Sequence, residues 1–415
     1  MATGVGMAEG SAVPVEVRGT AGAYALYRGG EPYAVRGAGI GSAAALPSLA
    51  RHGGNSVRTW AVGDGSILDA AAEHGLTVAL CLDLARERHG FDYGDRDAVA
   101  RQLERARTQV LAHRNHPALL FWIIGNELNH DFTDPRVYDA VNDISEMIHR
   151  LDPNHPTTTA TAGIDPSLAR VIETRAPDLD FLSVQLYGGL AQLPAALADA
   201  AVESPVMVTE WGTIGHWEVR QTPWGAPLEP TSTAKARRFL DGHETVLGPM
   251  EGRLIGSYAF LWGHKQERTP TWYGVLTADG RRTEAADVLR RIWTGAWPAN
   301  QAPRLLGLRV DGKAAADQVR LRAGAPYVAK VDADDPDDDP LRFEWVLMRE
   351  SDATQSGGDA ETVPERVTVP VVPRGPGEIG LRAPAEPGAY RLFVYVGDGH
   401  GAAAHANLPF LVTGA

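Results

Sequence analysis

The stretch from Ala118 to Glu127 constrains the fold of this 415-residue chain more than any other part. It reads A-L-L-F-W-I-I-G-N-E, a run of bulky apolar residues that stops at Gly125-Asn126-Glu127. A run of this length without a polar stripe, rich in aromatic and β-branched residues, indicates a strand buried on both faces. A carboxylate at the end of a buried strand costs free energy unless it has partners or a purpose. Glu127 is therefore a candidate functional residue.

A second apolar strand with the same kind of ending lies further along the chain. It runs from Pro205 to Gly212 and contains Glu210. Taken singly, each glutamate is also explained as a structural ion-pair partner, because ion pairs place charges in clefts too. Taken together, two strand-terminal glutamates are what a retaining glycosidase needs, one as acid/base and one as nucleophile.

Strand and helix patterns alternate between these motifs and around them. The helical patterns include 95–114, 134–151 and 232–247. Eight strands with helices between them over about 260 residues predict an α/β fold, a (β/α)8 TIM barrel. An open doubly wound sheet is the alternative, but no glycine-rich phosphate loop follows the first strand. The strand candidates are 33–40, 56–61, 77–84, 118–127, 156–163, 181–188, 205–212 and 254–263.

The pattern changes after residues 300–303, which have the composition of a linker. Short strand candidates separated by glycine, proline and aspartate follow, and they predict a small all-β, immunoglobulin-like sandwich. These candidates are 319–321, 327–331, 341–348, 367–372, 389–396 and 406–412. We therefore divide the chain into an N-terminal tail with a short β segment (1–32), the barrel (33–298) and the sandwich (299–415).

Composition excludes several classes of protein. The net charge of −13 and the pI near 5.5 argue against a nucleic-acid partner and suit a neutral substrate. One cysteine, Cys81, rules out an internal disulfide, and no apolar stretch is long enough to predict a membrane helix. Residues 1–12 do not have the pattern of a signal peptide. Localisation, secreted or cytoplasmic, and oligomeric state stay open.

Four motifs together carry a family resemblance. They are Asn115-His116-Pro117 with Phe121–Glu127, Gly54–Trp60 on the second strand, Val208–Gly212 on the seventh, and Tyr258–Gly263 on the eighth. In this order they resemble the retaining β-glycosidase clan of (β/α)8 barrels, and most closely the catalytic domain of glycoside hydrolase family 2. The resemblance covers about residues 33 to 297.

The resemblance implies a role for each motif. Glu127 would be the acid/base and Glu210 the nucleophile. Arg58 and Tyr187 would support the carboxylate of Glu210. Asn126 would bond the sugar 2-hydroxyl, an interaction that strengthens in the transition state. The eighth-strand motif would supply Trp262 as a sugar-stacking platform. Trp60 of the second-strand motif and Trp211 of the seventh-strand motif would contact the substrate.

Loops after the strands offer further candidate contacts, since binding residues are often carried on loops. The loop after the third strand contains His89 and Tyr93, although a loop folded on itself is an equal alternative. A long aromatic loop after the seventh strand contains His216, Trp217 and Trp224, which suggest a wall for additional sugar subsites. His264 follows the eighth strand.

The predicted chemistry needs no cofactor and no metal, because two carboxylates carry it. The acidic run Val331–Pro340 resembles the aspartate-rich hairpins of polycystic-kidney-disease-like and cadherin-like modules, in which oxygen ligands hold calcium. A solvated turn is the favoured interpretation, since charge runs normally face water.

The substrate is less well constrained than the reaction. Family 2 enzymes usually carry β-sandwich domains before the barrel, and only a short segment precedes it here. Parts of the sequence also resemble clan members that act on β-glucans. We therefore expect a carbohydrate partner, β-linked oligo- or polysaccharides such as β-glucans. The alternatives are a transglycosylase on the same barrel and a non-catalytic carbohydrate-binding protein.

Overall fold

The computed structural model describes residues 11–20, 22–355 and 357–414. The first ten residues, and with them most of the segment examined for a signal peptide, lie outside the described residues. The chain then forms a three-stranded antiparallel sheet from β1 (Val15–Thr20), β2 (Ala23–Arg28) and β3 (Glu31–Pro32). Val15 and Leu26 of this sheet are buried with Phe121 and Phe181 in one apolar cluster.

Eight strands close into a parallel barrel, which confirms the predicted fold class. Each predicted strand is present, shortened at its ends. All eight residues of the fourth barrel strand are buried, as its unbroken apolar run predicts. In chain order the barrel strands are β4 (Gly37–Gly39), β5 (Ser56–Arg58), β6 (Thr77–Leu82), β7 (Leu119–Asn126), β8 (Thr157–Ala162), β9 (Leu182–Leu186), β10 (Val206–Trp211) and β11 (Leu254–Ala259).

Helices connect the barrel strands, and their starts follow ordinary capping chemistry. Asp95 accepts hydrogen bonds from the backbone N–H groups of Asp97 and Ala98, which satisfies donors that a helix start leaves free. The helices are α1 (Leu46–Arg51), α2 (Ser66–Glu73), α3 (Arg96–His113), α4 (Arg136–Leu151), α5 (Pro166–Arg175), α6 (Leu193–Asp199), α7 (Ser232–Gly242) and α8 (Glu284–Thr294). The pattern predicted for 232–247 is divided, because α7 gives way to a π-helical turn at His243–Leu247.

Two four-stranded sheets form the C-terminal sandwich. One has the order β12-β14-β17-β16 and the other β13-β19-β18-β15, and together they bury one apolar cluster. A β-sandwich after the barrel is thereby confirmed. The strands are β12 (Arg304–Val310), β13 (Arg320–Arg322), β14 (Pro326–Asp334), β15 (Arg342–Arg349), β16 (Val371–Gly375), β17 (Glu378–Arg382), β18 (Gly388–Gly397) and β19 (Ala403–Thr413).

By its contacts the chain divides into two compact units. The first comprises residues 1–211 and 244–260 and holds all eight barrel strands. The second comprises residues 212–243 and 261–415 and holds α7, α8 and the sandwich. The boundaries 33–298 and 299–415 stay a prediction, since this division follows contacts rather than domains. Among the described residues, no helix combines the length and the apolar character that crossing a bilayer requires.

Candidate active site

The carboxylate of Glu210 lies at the centre of a cluster of hydrogen-bond donors in the first unit. Glu210 is on β10 and is buried. Its Oε1 accepts hydrogen bonds from Arg58 Nη1 at 2.5 Å, Trp60 Nε1 at 2.8 Å and Gln185 Nε2 at 3.0 Å. Its Oε2 accepts from the Tyr187 hydroxyl at 2.6 Å. Hydrogen bonds to an ionised group are short and strong, so four of them hold this carboxylate in one orientation.

Arg58 links Glu210 to the end of the fourth barrel strand. It is the last residue of β5 and is fully buried. Its Nη2 donates to Asn126 Oδ1 at 2.8 Å, while Nη1 bonds Glu210. A buried guanidinium is tolerable only when it is paired and hydrogen-bonded, and these contacts supply both conditions.

A sharp bend in the backbone presents Glu127 beside this cluster. Gly125 has φ 76° and Glu127 has φ 51°, and the Glu127 N–H donates to the Ala160 carbonyl at 2.8 Å. A residue other than glycine with positive φ is uncommon, and such backbone strain is concentrated at functional sites. The Glu127 side chain is half-buried. Because the preceding Asn126 shares donors with Glu210, the two glutamates belong to one region of the barrel.

Aromatic rings surround the donor cluster. The Trp60 ring meets Phe260 edge-on at 5.6 Å between centroids, and the Arg58 guanidinium lies 4.9 Å from the Trp60 ring centroid. Tyr187 meets the same Phe260 at 5.6 Å. A Cβ on Gly39 of β4 would lie 2.6 Å from Trp60 Cη2. The Trp60 indole therefore fits here only because residue 39 is glycine. The aromatic rings thus fix the donors that reach Glu210.

Gln185 is the member of the cluster that sequence reasoning missed. It lies on β9 and donates from Nε2 both to Glu210 Oε1 and to Asn126 Oδ1, the latter at 2.8 Å. The available signal was strand alternation: residues i and i+2 share a face, so Gln185 points the same way as Tyr187. A glutamine inside an apolar strand is in itself a polar residue in need of partners.

Three predicted contacts of the first unit have a different environment. Tyr93 is buried, and its hydroxyl donates to the Ala85 carbonyl at 2.6 Å, so it packs its own loop. Burial raises the pKa of Tyr93 to about 12. Trp211 is also buried and therefore has no open ring face for a sugar. His89 is exposed, on a short 3-10 turn at Glu87–His89.

The remaining predicted contacts lie in the second unit. Trp217 keeps 56% of its surface exposed and meets His216 edge-on at 4.9 Å. His216 itself is buried beside Tyr273, with 3.2 Å between its Nδ1 and the tyrosine hydroxyl. Burial, together with the nearby cations Arg268 and Lys265, lowers the pKa of His216 to about 4. His264 is exposed.

Trp262 and Trp224 depart from the expected sugar platforms. Trp262 is fully buried, with its ring 5.7 Å from that of Trp293. A ring without exposed surface cannot stack on a pyranose, so the expectation for Trp262 is corrected to core packing. Trp224 is half-buried, and the guanidinium of Arg320 on β13 lies 5.7 Å from its ring centroid.

The acidic run forms the turn between β14 and β15. Asp335 Oδ1 accepts hydrogen bonds from the N–H groups of Asp337 and Asp339, the pattern of an aspartate-stabilised turn. Carboxylate oxygens of Asp335, Asp339 and Asp398 come within 4.8 Å of one another. Asp398 already accepts from the N–H groups of His400 and Ala402. These bonds are those of the turn that the sequence favours, and calcium binding stays an untested alternative.

The geometry first defines a class. A closed parallel barrel with its polar cluster at the carboxyl ends of β5, β7, β9 and β10 has its site where TIM-barrel enzymes have theirs. Residues 67–214 match the family model described as glycosyl hydrolases family 2, TIM barrel domain. This match bears out the resemblance to the glycoside hydrolase family 2 barrel, and two of the four motifs, 115–127 and 208–212, lie within the matched residues.

Solved structures share the fold at low sequence identity. One is Bacteroides uniformis β-glucuronidase 2 bound covalently to cyclophellitol-6-carboxylate aziridine, with 15% identity and a TM-score of 0.52 over 97% of this chain and 48% of that one. A family 2 β-galacturonidase from Eisenbergiella tayi bound to galacturonate has 18% identity and a TM-score of 0.52, and the match covers 68% of this chain and 55% of that one. The β-D-glucuronidase of Dictyoglomus thermophilum has 18% identity and a TM-score of 0.53, and the match covers 68% of this chain and 54% of that one.

The chain spans about half the length of these structures. At such identities the likeness concerns the fold. A comparison with curated protein sequences gives no match.

Proposed function

We propose that the protein is a retaining β-glycosidase, with Glu210 as nucleophile and Glu127 as acid/base. The observation that carries the proposal is the convergence of four donors on the Glu210 carboxylate, two of which also bond Asn126 next to Glu127. The donors come from the ends of two barrel strands, Arg58 and Trp60 from β5 and Gln185 and Tyr187 from β9, and together they orient the carboxylate for attack. An ion pair that served only stability would not need so many.

The reaction follows from these two roles. Glu127 gives its proton to the glycosidic oxygen as the bond to the anomeric carbon breaks, and a Glu210 oxygen bonds that carbon. A water molecule then attacks the glycosyl-enzyme, gives its proton to Glu127 and releases Glu210. The two steps restore both carboxyl groups, so neither cofactor nor metal is consumed. Asn126 bonds the sugar 2-hydroxyl in both transition states.

Two substitutions test the proposal on aryl β-glycosides. We expect Glu210→Gln to abolish turnover, because an amide cannot form the glycosyl-enzyme. We expect Glu127→Ala to retain activity on substrates whose leaving group needs no proton, and to lose it on those with poor leaving groups. Glu146→Gln on the surface of α4 is the matched control and should behave like the parent. Equal rates for Glu210→Gln and parent would refute the nucleophile.

The substrate is proposed as a β-linked oligo- or polysaccharide such as a β-glucan. A panel of aryl β-glycosides and β-glucans tests this directly. Because the similar structures include β-glucuronidases and a β-galacturonidase, β-uronides belong in the panel. Hydrolysis of a uronide alone would replace the β-glucan proposal and leave the two carboxylates in their roles.

Transglycosylation is the second candidate, in which a sugar hydroxyl takes the place of water. Trp217 of the second unit keeps an exposed indole, and an open aromatic face of this kind is suited to binding a sugar. Product analysis with excess acceptor separates the two: hydrolysis gives the free sugar, and transfer gives a longer product. A non-catalytic binding protein is less well supported, because both glutamates are present.

A further inference from the structure

Gln185 lies within the donor cluster, although no step of the proposed reaction requires it. Its side chain is 3% exposed, and its Nε2 bridges Asn126 Oδ1 at 2.8 Å and Glu210 Oε1 at 3.0 Å. Both neighbours are acceptors, so the amide orientation is determined by chemistry: a rotated amide would place Oε1 against two oxygens.

This orientation has a cost. Gln185 Oε1 is buried and makes no hydrogen bond to any residue that the structure describes. A buried acceptor without a partner loses its hydration and recovers nothing. The side chain therefore gives up one hydrogen bond in order to donate two, and both of these go to proposed catalytic or binding groups.

The consequence falls on Asn126. Its Oδ1 accepts from two donors, Arg58 Nη2 and Gln185 Nε2. With the oxygen held by both, the amide nitrogen must point away from them. We infer that Gln185 is a positioning residue that fixes the Asn126 amide with its NH2 toward the substrate, so that the site requires a hydrogen-bond acceptor at the sugar 2-position.

The inference rests on the proposed function, and it separates Gln185 from Arg58. Arg58 carries a charge that Glu210 needs, so its removal would disturb everything in the cluster. Gln185 is neutral, and its hydrogen bond is the second of the two that hold the Asn126 amide oxygen away from the sugar. Loss of Gln185 leaves Arg58 as the sole described donor to Asn126 Oδ1, so the amide is held by one hydrogen bond in place of two and its NH2 is directed less firmly at the sugar.

Gln185→Met tests this, because methionine has a similar volume and neither donates nor accepts a strong hydrogen bond. The control is Gln102→Met on α3, another glutamine that is 3% exposed, whose Oε1 accepts from the Ala85 N–H at 2.8 Å. For the parent and both variants, kcat/KM is measured on an aryl β-glycoside and on its 2-deoxy counterpart. Thermal unfolding of each variant is recorded alongside.

We expect the preference for the 2-hydroxy substrate to fall roughly tenfold in Gln185→Met, about the effect of one neutral hydrogen bond. The preference should not change in Gln102→Met, whatever that variant loses in stability. A merely structural glutamine would lower both rates together and leave their ratio as in the parent. An unchanged ratio in Gln185→Met would overturn the inference.

A second variant, Gln185→Glu, keeps the shape and replaces the donor with an acceptor. The new carboxylate would face Asn126 Oδ1 and Glu210 Oε1 in place of two donated hydrogen bonds, so the Asn126 amide would lose this support and the 2-hydroxyl preference should again fall. If the parent turns over glycosides and Glu210→Gln does not, while both Gln185 variants keep the parent ratio, the inference fails and the proposed function stands. A parent inactive on the whole panel would instead refute the proposed function, and the inference with it.

Discussion

The Glu210 carboxylate shows how a single residue defines a site. Three neutral donors and one cation contact its two oxygens, so its orientation does not depend on any single partner. The donors belong to two strand ends of the barrel, Arg58 and Trp60 at β5 and Gln185 and Tyr187 at β9. The donors are therefore preorganised by the fold itself, which is the condition under which electrostatic stabilisation contributes most to catalysis.

Tyr187→Phe should lower kcat/KM about 10- to 100-fold, because it removes the one described donor to Glu210 Oε2, a hydrogen bond to a charged group. The matched control is Tyr138→Phe on α4. Its hydroxyl is buried and has no hydrogen-bond partner among the described residues, so its loss should leave activity unchanged and stability equal or slightly higher. Steady-state kinetics and thermal melts measure both. Parent-like activity of Tyr187→Phe would show that this hydrogen bond plays no part in turnover.

At the residue scale, the sequence predicts hydrogen-bond donors to the buried Glu210 carboxylate better than sugar-stacking aromatic rings. Arg58 and Tyr187 were expected beside Glu210 from their strand-end positions, and the structure places both there. Trp262 and Tyr93 were expected at a sugar, yet they are buried. A buried charge demands a partner, so its position is informative. An aromatic side chain suits both core and cleft, and spacing alone does not distinguish them.

At the scale of elements, periodicity and strand-end signals were sufficient for the barrel. Most of the strands are short, apolar and bounded by glycine, proline or a polar turn, with the threonine-rich β8 as an exception, and the sequence predicts all eight. In the sandwich, β12 and β17 were missed. Both alternate small or charged residues with apolar ones, such as Arg304-Leu305-Leu306-Gly307, so their pattern is weak until a facing sheet buries them.

Lys235 of α7 forms a buried ion pair with Glu229, which precedes the helix, and no sequence pattern indicated this pair. Lys235 Nζ donates to Glu229 Oε1 at 2.5 Å and to the Thr271 carbonyl at 2.6 Å. Asn407 of β19 donates to the other oxygen of Glu229. Burial alone raises the pKa of Glu229, but Lys235, His405 and the hydrogen bonds outweigh it and lower the pKa to about 2. Lys235 and Glu229 thus form a charged pair, and the hydrogen bond from Asn407 to Glu229 links this pair to the sandwich.

Lys235→Met should destabilise the protein by about 3 to 5 kcal/mol, because it leaves the Glu229 carboxylate buried without its cation. Adding Glu229→Gln removes that charge and keeps acceptor and donor groups in place, so the double variant should recover part of the loss. Urea unfolding of the parent, the single variant and the double variant measures this. A double variant no more stable than Lys235→Met would mean that the cost is lost packing around the lysine stem.

At the scale of the whole molecule, buried histidines make stability depend on pH. Burial lowers the pKa of His405 from an ordinary 6.5 to about 3, assisted by Lys235 and opposed by Glu229. His216 is shifted in the same direction. As pH falls through 6.5, the unfolded chain takes up protons that the folded chain does not bind. The contribution of these two histidines to the free energy of unfolding therefore decreases as the pH falls from about 6.5, toward pH 4 for His216 and pH 3 for His405.

For His405 alone this decrease amounts to about 2 to 3 kcal/mol between pH 7.5 and pH 4.5, since each pKa unit corresponds to about 1.4 kcal/mol. His405→Phe cannot titrate, so its stability should fall less steeply over the same range than that of the parent. Urea midpoints at pH 7.5, 6.0 and 4.5 for both proteins give the two slopes. If the slopes agree, His405 gains its proton in the folded protein as readily as in the unfolded chain, and the acid sensitivity must come from other groups, of which His216 is the first to substitute.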